Sequence, residues 1–422
     1  MSSSTTQKAG NYFTSMLIIG VLFFIFGFVT WLNGTLIPFL KLACELKTDT
    51  QAFFVTSAFY MAYFFLAIPS SGILQRTGFK NGMALGLLVM AVGSLIFIPA
   101  ATARNFALFL TGLFVQGAGL SLLQTASNPY ISIIGPIESA AQRISFMGIC
   151  NKIAGALSPL ILGAIVLKNV SKLEADVVAA QDPLQKAALL DELAQRVIMP
   201  YAVMAVILVI LALWIRRSAL PDIDMDGEAA TDTKSSSKSS VFQYPHLLLG
   251  ALCIFTYVGA EVMAGDVIGT YGKNLGFSLD QAKYFTSFTL ISMLIGYVIG
   301  IIAIPKYISQ ESSLKYAAIL GVVFTVAAFL TKGQTSVTFI ALLGLANAPM
   351  WPAIFPLGIN GLGKFTKIGS AIMIMGIAGG AIIPLIYGEL SKSMNFQMAF
   401  MVTMVPCYLY VLYFAMRGHR VG

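Results

Sequence analysis

Apolar runs of about 20 residues recur from one end of this chain to the other, and that is the length of α-helix needed to cross a hydrocarbon layer about 30 Å thick. Twelve candidate spans follow: residues 12–40, 51–74, 82–102, 106–135, 144–168, 198–215, 244–272, 283–305, 314–331, 335–358, 366–388 and 395–416. They explain why 57% of the 422 residues are hydrophobic and only 10% charged, against about 25% charged in an ordinary soluble domain. A chain with so little polar surface cannot cover its apolar residues in water, so the reading is an all-α integral membrane protein. Strands are not expected, because the runs are apolar all round instead of alternating. The first run is too long for a signal-peptide core and lacks a convincing small-residue cleavage site, so it counts as the first span.

An even number of spans puts both termini on one side. Loops and tails on that side carry 14 Lys and Arg and the opposite loops 11, of which four lie in the long 168–197 segment, leaving 14 against 7 in the loops that set orientation. Both termini are therefore expected in the cytoplasm. The net charge of +8 reads as topology and attraction to anionic lipid, with nothing to suggest nucleic acid. Cys44, Cys150, Cys253 and Cys407 are scattered, and His246 and His419 have no second potential ligand nearby. Neither a disulfide framework nor a resident metal site is read, and no cofactor is implied beyond a transported Na⁺.

The chain divides into two halves. Residues 217–241, "RSALPDIDMDGEAATDTKSSSKSSV", are polar, Ser-rich and charge-rich and fall between the sixth and seventh spans. They read as a linker between a six-helix bundle at 1–216 and another at 242–422. "AGALSPLILG" from Ala154 and "GGAIIPLIYG" from Gly379 agree at six of ten positions at an offset of 225, and "NPYISIIG" at Asn128 aligns with "WPAIFPLG" at Trp351 at an offset of 223. Such a parallel duplication predicts two pseudo-symmetric bundles with a substrate path between them near the bilayer midplane, as in the major facilitator superfamily. Within 168–197, Asp182-Pro183 forms an N-cap with proline at the first helical position, which predicts a short helix outside the membrane.

A charged side chain in hydrocarbon costs from about 2.5 to more than 10 kcal/mol, so it is kept mainly where it faces a polar cavity or a partner. The residues this selects are Asn33, Gln124, Asn128, Asn151 and Lys152 in the first half and Glu261, Asp266, Asn347 and Glu389 in the second. In "YVGAEVMAGD", residues 257–266, Glu261 falls near the midplane and Asp266 nearer the outer end of the span, where it could meet water. Gly259, Gly265, Gly269 and Gly272 predict a bent or broken helix there. Two readings of Glu261 stand: an ion pair with Lys152, or a charge compensated by a transported cation or by sugar hydroxyls. Lys152 is either that counter-ion or a switch that exchanges partners, and Glu389 reads as a solvated helix end. Amides offer both donors and acceptors to sugar hydroxyls, while Trp31, Tyr60, Tyr257 and Trp351 could stack on the apolar face of a pyranose.

"SAFYMAYF" at Ser57, "LQTASNPYISIIGP" at Leu123, "YVGAEV" at Tyr257 and "WPAIFPLGINGLG" at Trp351 resemble segments of the fucose–galactose–glucose:proton symporter family, a bacterial branch of the major facilitator superfamily. The resemblance extends over all twelve spans. It implies the major facilitator fold, a bacterial inner-membrane location and cation-driven import of a monosaccharide by alternating access. The basic loop after the second span is kept loosely as "SGILQRTGFKNG", with Gln75 where an Asp is usual. Where the family pattern has an Asp after "LN" in the first span and a Glu in the fourth-span motif, both linked to proton coupling, this chain has Gly34 and Gln124. Neither can carry a proton, so either Glu261 or Asp266 has taken over or the ion is Na⁺. Na⁺ is favoured here over H⁺, since it can use neutral oxygens such as those of "NGT" at 33–35.

The function read from the chain is thus symport of a hexose such as glucose, galactose, mannose or fucose with a cation, by a monomer. Gln124, Asn128, Asn151, Tyr257, Glu261, Asn347 and Trp351 are the candidate sugar ligands, and Asn33, Thr35, Gln124, Lys152, Glu261 and Asp266 the candidate coupling residues. A proton-coupled drug or metabolite exporter would require a large apolar cavity and a first-half carboxylate, and the latter is missing. A membrane sensor or scaffold leaves the intramembrane polar residues without purpose. No nucleophile, base and orienting group stand at any motif spacing, so an enzyme is not read.

Overall fold

The computed structural model describes residues 2–133, 140–218, 220, 240–304 and 306–421. Most of the 217–241 linker and the last two residues of the fourth expected span lie outside the described residues. Every regular element among those described is a helix. Eleven helical stretches are long and apolar enough to cross a membrane. The longest, α3 (Asp49–Thr102), has 54 residues, about 81 Å at 1.5 Å per residue and more than twice a bilayer core. It is two spans, interrupted at Gly78, whose φ of 72° and ψ of 171° lie in a region essentially restricted to glycine. The twelve expected spans are therefore present.

The first half contains α1 (Ser2–Thr30), α2 (Asn33–Ala43), α3, α4 (Phe106–Ile133), α5 (Ala140–Val166), α6 (Val170–Ala179), α7 (Pro183–Gln195) and α8 (Ile198–Arg217). The second contains α9 (Pro245–Gly265), α10 (Ile268–Asn274), α11 (Leu279–Ala282), α12 (Phe285–Ala303), α13 (Gln310–Leu330), α14 (Gly333–Asn347), α15 (Met350–Ile359), α16 (Thr366–Met375), α17 (Gly379–Ser393) and α18 (Phe396–Met416). Large apolar side chains stand exposed on α8 and α12, among them Val206, Ile210, Ile295 and Ile302. Hydrocarbon accepts that surface; water would not.

Four spans are broken instead of continuous. The first is interrupted between α1 and α2, the seventh between α9 and α10, the tenth between α14 and α15, and the eleventh between α16 and α17. Local sequence supplies the reasons. Pro349 and Pro352 stand at the third of these breaks and Gly376 and Gly379 at the fourth, residues that remove a backbone donor or add backbone freedom. At the seventh-span break the carbonyls of Ala264 and Gly265 lose their helical partners and instead accept the hydroxyls of Thr289 (2.8 Å) and Thr286 (2.7 Å) from α12.

The expected helix outside the membrane is α7, with Asp182 Oδ1 accepting the Leu184 N–H at 3.0 Å. A second, α6, precedes it and was not expected. It reaches the other half: the Ser171 N–H donates to Asp280 Oδ2 (3.1 Å), the Asp280 N–H to Ser171 Oγ (3.2 Å), and Glu174 pairs with Lys273. Nearby, Lys283 Nζ donates to the Leu167 carbonyl at 3.0 Å. Deeper in, the bundles are joined where Ser57 Oγ donates to the Ala381 carbonyl (2.7 Å) and Ser287 Oγ to that of Ala156 (2.8 Å).

Candidate functional site

Between the two halves lies a cavity of about 110 Å³ lined by residues of α1, α3, α4, α5, α9, α12 and α15. That is small beside the ~300–1,000 Å³ of pockets for drug-sized ligands, and it suits a ligand of a few ring atoms. At its wall Lys152 Nζ of α5 donates to Glu261 Oε1 of α9 at 2.8 Å, with side chains only 8% and 11% exposed. The ion-pair reading of Glu261 is thus realised, and it is realised inside the cavity. The Lys152 ammonium also stands 4.4 Å from the centre of the Trp31 ring, a cation–π contact that strengthens as water is excluded.

Amides surround this pair. Gln124 Nε2 of α4 donates to the Tyr63 hydroxyl at 3.2 Å, and Asn151 Nδ2 of α5 to the Phe23 carbonyl at 3.4 Å. Asn128 lines the same space. Aromatic faces close it: Tyr60 and Tyr63 from α3, Tyr257 from α9, Tyr297 from α12, and Trp351, which stacks on Phe355 with 5.6 Å between ring centres. Charge, two-way hydrogen bonding and flat apolar rings in one small space match a polyhydroxylated ring better than a purely apolar compound.

Of the candidate residues from sequence, Gln124, Asn128, Asn151, Lys152, Tyr257, Glu261 and Trp351 meet in this cavity. Asn347 does not: it is fully buried, and its Oδ1 accepts the Tyr408 hydroxyl at 2.9 Å. Asn33, Thr35 and Asp266 also lie off the cavity lining. Asp266 departs most from expectation. It is 0% exposed, because the seventh span breaks immediately after Gly265 and turns it into the contact with the first span instead of toward the outer water. Glu389 is, as read, a solvated helix end, paired with Lys392 at 2.7 Å. Sequence reasoning passed over Tyr63 and Tyr297. Tyr63 follows Tyr60 by three residues and so shares its helical face, a signal that could have found it; Tyr297 lies in a run of apolar residues that gives none.

Two bundles of six spans, some of them broken, around a charged cavity are the architecture of a secondary transporter. A family model described as Major Facilitator Superfamily matches residues 19–384. A glucose/galactose transporter of Brucella abortus is 34% identical over 418 residues, covering 98% of this chain and 96% of that one. An L-fucose-proton symporter of Escherichia coli is 31% identical over 395 residues, covering 92% and 89%. The crystal structure of the E. coli fucose:proton symporter superposes with a TM-score of 0.76 at 27% identity, covering 98% of this chain and 100% of that one. The chain belongs to the major facilitator superfamily and, within it, to the fucose–galactose–glucose:proton symporter family. The relatives whose names state a coupling ion are proton symporters, so the expectation of Na⁺ finds no support among them. That expectation arose from the missing carboxylates at Gly34 and Gln124.

Proposed function

We propose that this protein imports a monosaccharide together with protons, by alternating access of the cavity between its two bundles. The observation that carries the reading is the Lys152–Glu261 pair, set among amides and aromatic rings inside a cavity of monosaccharide scale. A buried ion pair is held by mutual attraction at a large desolvation cost. Sugar hydroxyls can donate to the carboxylate and accept from the ammonium, so substrate can replace each partner for the other and loosen the tie between α5 and α9. Gln124, Asn128 and Asn151 would complete the hydroxyl shell, with Trp351 and Tyr257 against the ring. The small cavity weighs against the drug-exporter alternative. The membrane would be a bacterial inner membrane with both termini cytoplasmic, following the excess of Lys and Arg on that side.

The experiment is accumulation of radiolabelled D-glucose, D-galactose and L-fucose by proteoliposomes, with pH and Na⁺ gradients imposed separately. An acid-outside gradient should drive at least one of these sugars above its external concentration, and a Na⁺ gradient should add nothing. Accumulation that follows Na⁺ alone would move the coupling assignment, and no accumulation of any monosaccharide would end the sugar reading.

A further inference from the structure

Asp266 is the acidic side chain for which the cavity has no use. Its residue is 0% exposed, and neither carboxyl oxygen has a hydrogen-bond partner in bonding geometry. The groups that face it are the backbone of Gly34 on α2, the Tyr60 hydroxyl on α3 and, as the nearest charges, Glu261 on α9 and Lys152 on α5. The one cation in this set is already engaged, since Lys152 is bonded to Glu261 at 2.8 Å. A charge in such a place would be without water and without a cation of its own, a cost that proteins avoid by neutralising the group.

The surroundings fit a group that changes its charge. Asp266 occupies the break between α9 and α10, and it lies against the break between α1 and α2: a Cβ placed on Gly34 would stand 3.3 Å from Asp266 Oδ1. The first-span break carries buried polar atoms without partners, Trp31 Nε1, both amide atoms of Asn33 and the Thr35 hydroxyl. The two unpartnered carboxyl oxygens therefore sit beside a segment that holds donors of its own, and helix breaks are where spans hinge.

From this geometry we infer that Asp266 is the residue that carries the coupled proton, and that Trp31 ties its protonation to occupancy of the sugar cavity. The Trp31 ring lies against Gly265 and Gly155, where a Cβ would collide with it, and the Lys152 ammonium stands 4.4 Å from its centre. When sugar draws Lys152 away from both Glu261 and the ring, the indole loses its cation and the packing beside Asp266 changes. The step balances simply. The carboxylate takes one proton from the outer aqueous phase in a conformation that admits water, is carried as the neutral acid through the buried state seen here, and gives the proton to the cytoplasm as the first-span donors close on the carboxylate.

This inference rests on the proton-symport reading, and the test separates the two. Wild-type proteoliposomes must first accumulate labelled sugar under an acid-outside gradient; if they do not, the symport reading falls before Asp266 is touched. Asp266→Asn, which keeps shape and burial, should then exchange labelled for unlabelled D-galactose, D-glucose or L-fucose across the membrane at a rate within a few-fold of wild type, while gradient-driven accumulation is lost. Asp266→Glu, which keeps the carboxyl, should retain part of the accumulation. Wild-type accumulation by Asp266→Asn would overturn the inference. So would loss of exchange and accumulation together in protein with unchanged melting temperature, which would place Asp266 in translocation at large. If Asp266→Asn does not assemble, the wild-type protein decides: sugar affinity in detergent should change with pH, and affinity that is flat across pH, or that follows Na⁺, contradicts a proton-carrying carboxyl.

Discussion

Lys152 and Glu261 each announce themselves in the sequence, because a charge within a long apolar run is costly to keep. Their pairing across 109 residues does not, because it depends on how α5 and α9 face each other. Removing either partner leaves the other charge buried, so Lys152→Met and Glu261→Gln should each destabilise the protein by about 3–5 kcal/mol, and the double variant should recover much of that. Uptake should not recover with it, since the proposed exchange of partners with sugar uses both groups. Thermal denaturation beside transport reads the two together, and uptake restored in the double variant would reduce the pair to a structural tie. The amides divide in the same way. Asn151→Ala and Gln124→Ala should weaken sugar binding by about 1–3 kcal/mol, the cost of an unpaired hydroxyl. Asn347→Ala should leave it unchanged, because Asn347 is turned to Tyr408; titration calorimetry with the transported sugar checks all three. Asp266 is half legible. Five residues from Glu261 is about 140° around a helix, which separates the two carboxylates as observed, but its complete burial follows from Trp31 and Gly34 on a distant span.

At the level of elements, period and punctuation carried the spans. Length and hydropathy located twelve of them, and the four glycines of the seventh span marked a break that falls just beyond Gly265. The breaks in the tenth and eleventh spans were not read, because proline is common in membrane helices and signals a kink only when its surroundings are known. Helix α6 was not read either: it is short, and what orders it is contact with α10 and α11, which no local pattern records. The seventh-span break has a testable support. Thr286→Val and Thr289→Val keep volume but remove the hydroxyls bound to the Gly265 and Ala264 carbonyls. Each should lower stability by about 1–3 kcal/mol, the penalty for a buried acceptor left unsatisfied. A melting temperature unchanged by both substitutions would mean that the freed carbonyls are satisfied otherwise.

Over the whole molecule, two short internal repeats pointed to two six-helix bundles, since a duplication leaves its trace in sequence offset as well as in space. How the bundles are held together was not foreseeable. At the end opposite the termini, Glu174–Lys273, the reciprocal Ser171–Asp280 bonds and Lys283 at the Leu167 carbonyl bridge them, alongside Asn274 Nδ2 at Asp49 Oδ2, 3.3 Å away. The Lys283 contact is buried, while the partly exposed Glu174–Lys273 pair is worth up to about 1 kcal/mol. Glu174→Gln combined with Asp280→Asn should therefore raise the open fraction at that end by about two- to ten-fold. The rate at which an impermeant maleimide reaches Asn151→Cys from that side, in an otherwise cysteine-free protein, measures it, and an unchanged rate would show that the bridges do not hold the closure.

Proton-coupled sugar transport makes one demand that no other reading shares: the two fluxes must appear together without any imposed gradient. Proteoliposomes loaded with a pH-sensitive dye, at equal pH and equal Na⁺ on both sides, should acidify inside when the transported sugar is added outside, with a rate that saturates in sugar and does not change when Na⁺ is replaced by K⁺. Sugar entry with no change of internal pH, or acidification that requires Na⁺, would contradict the account.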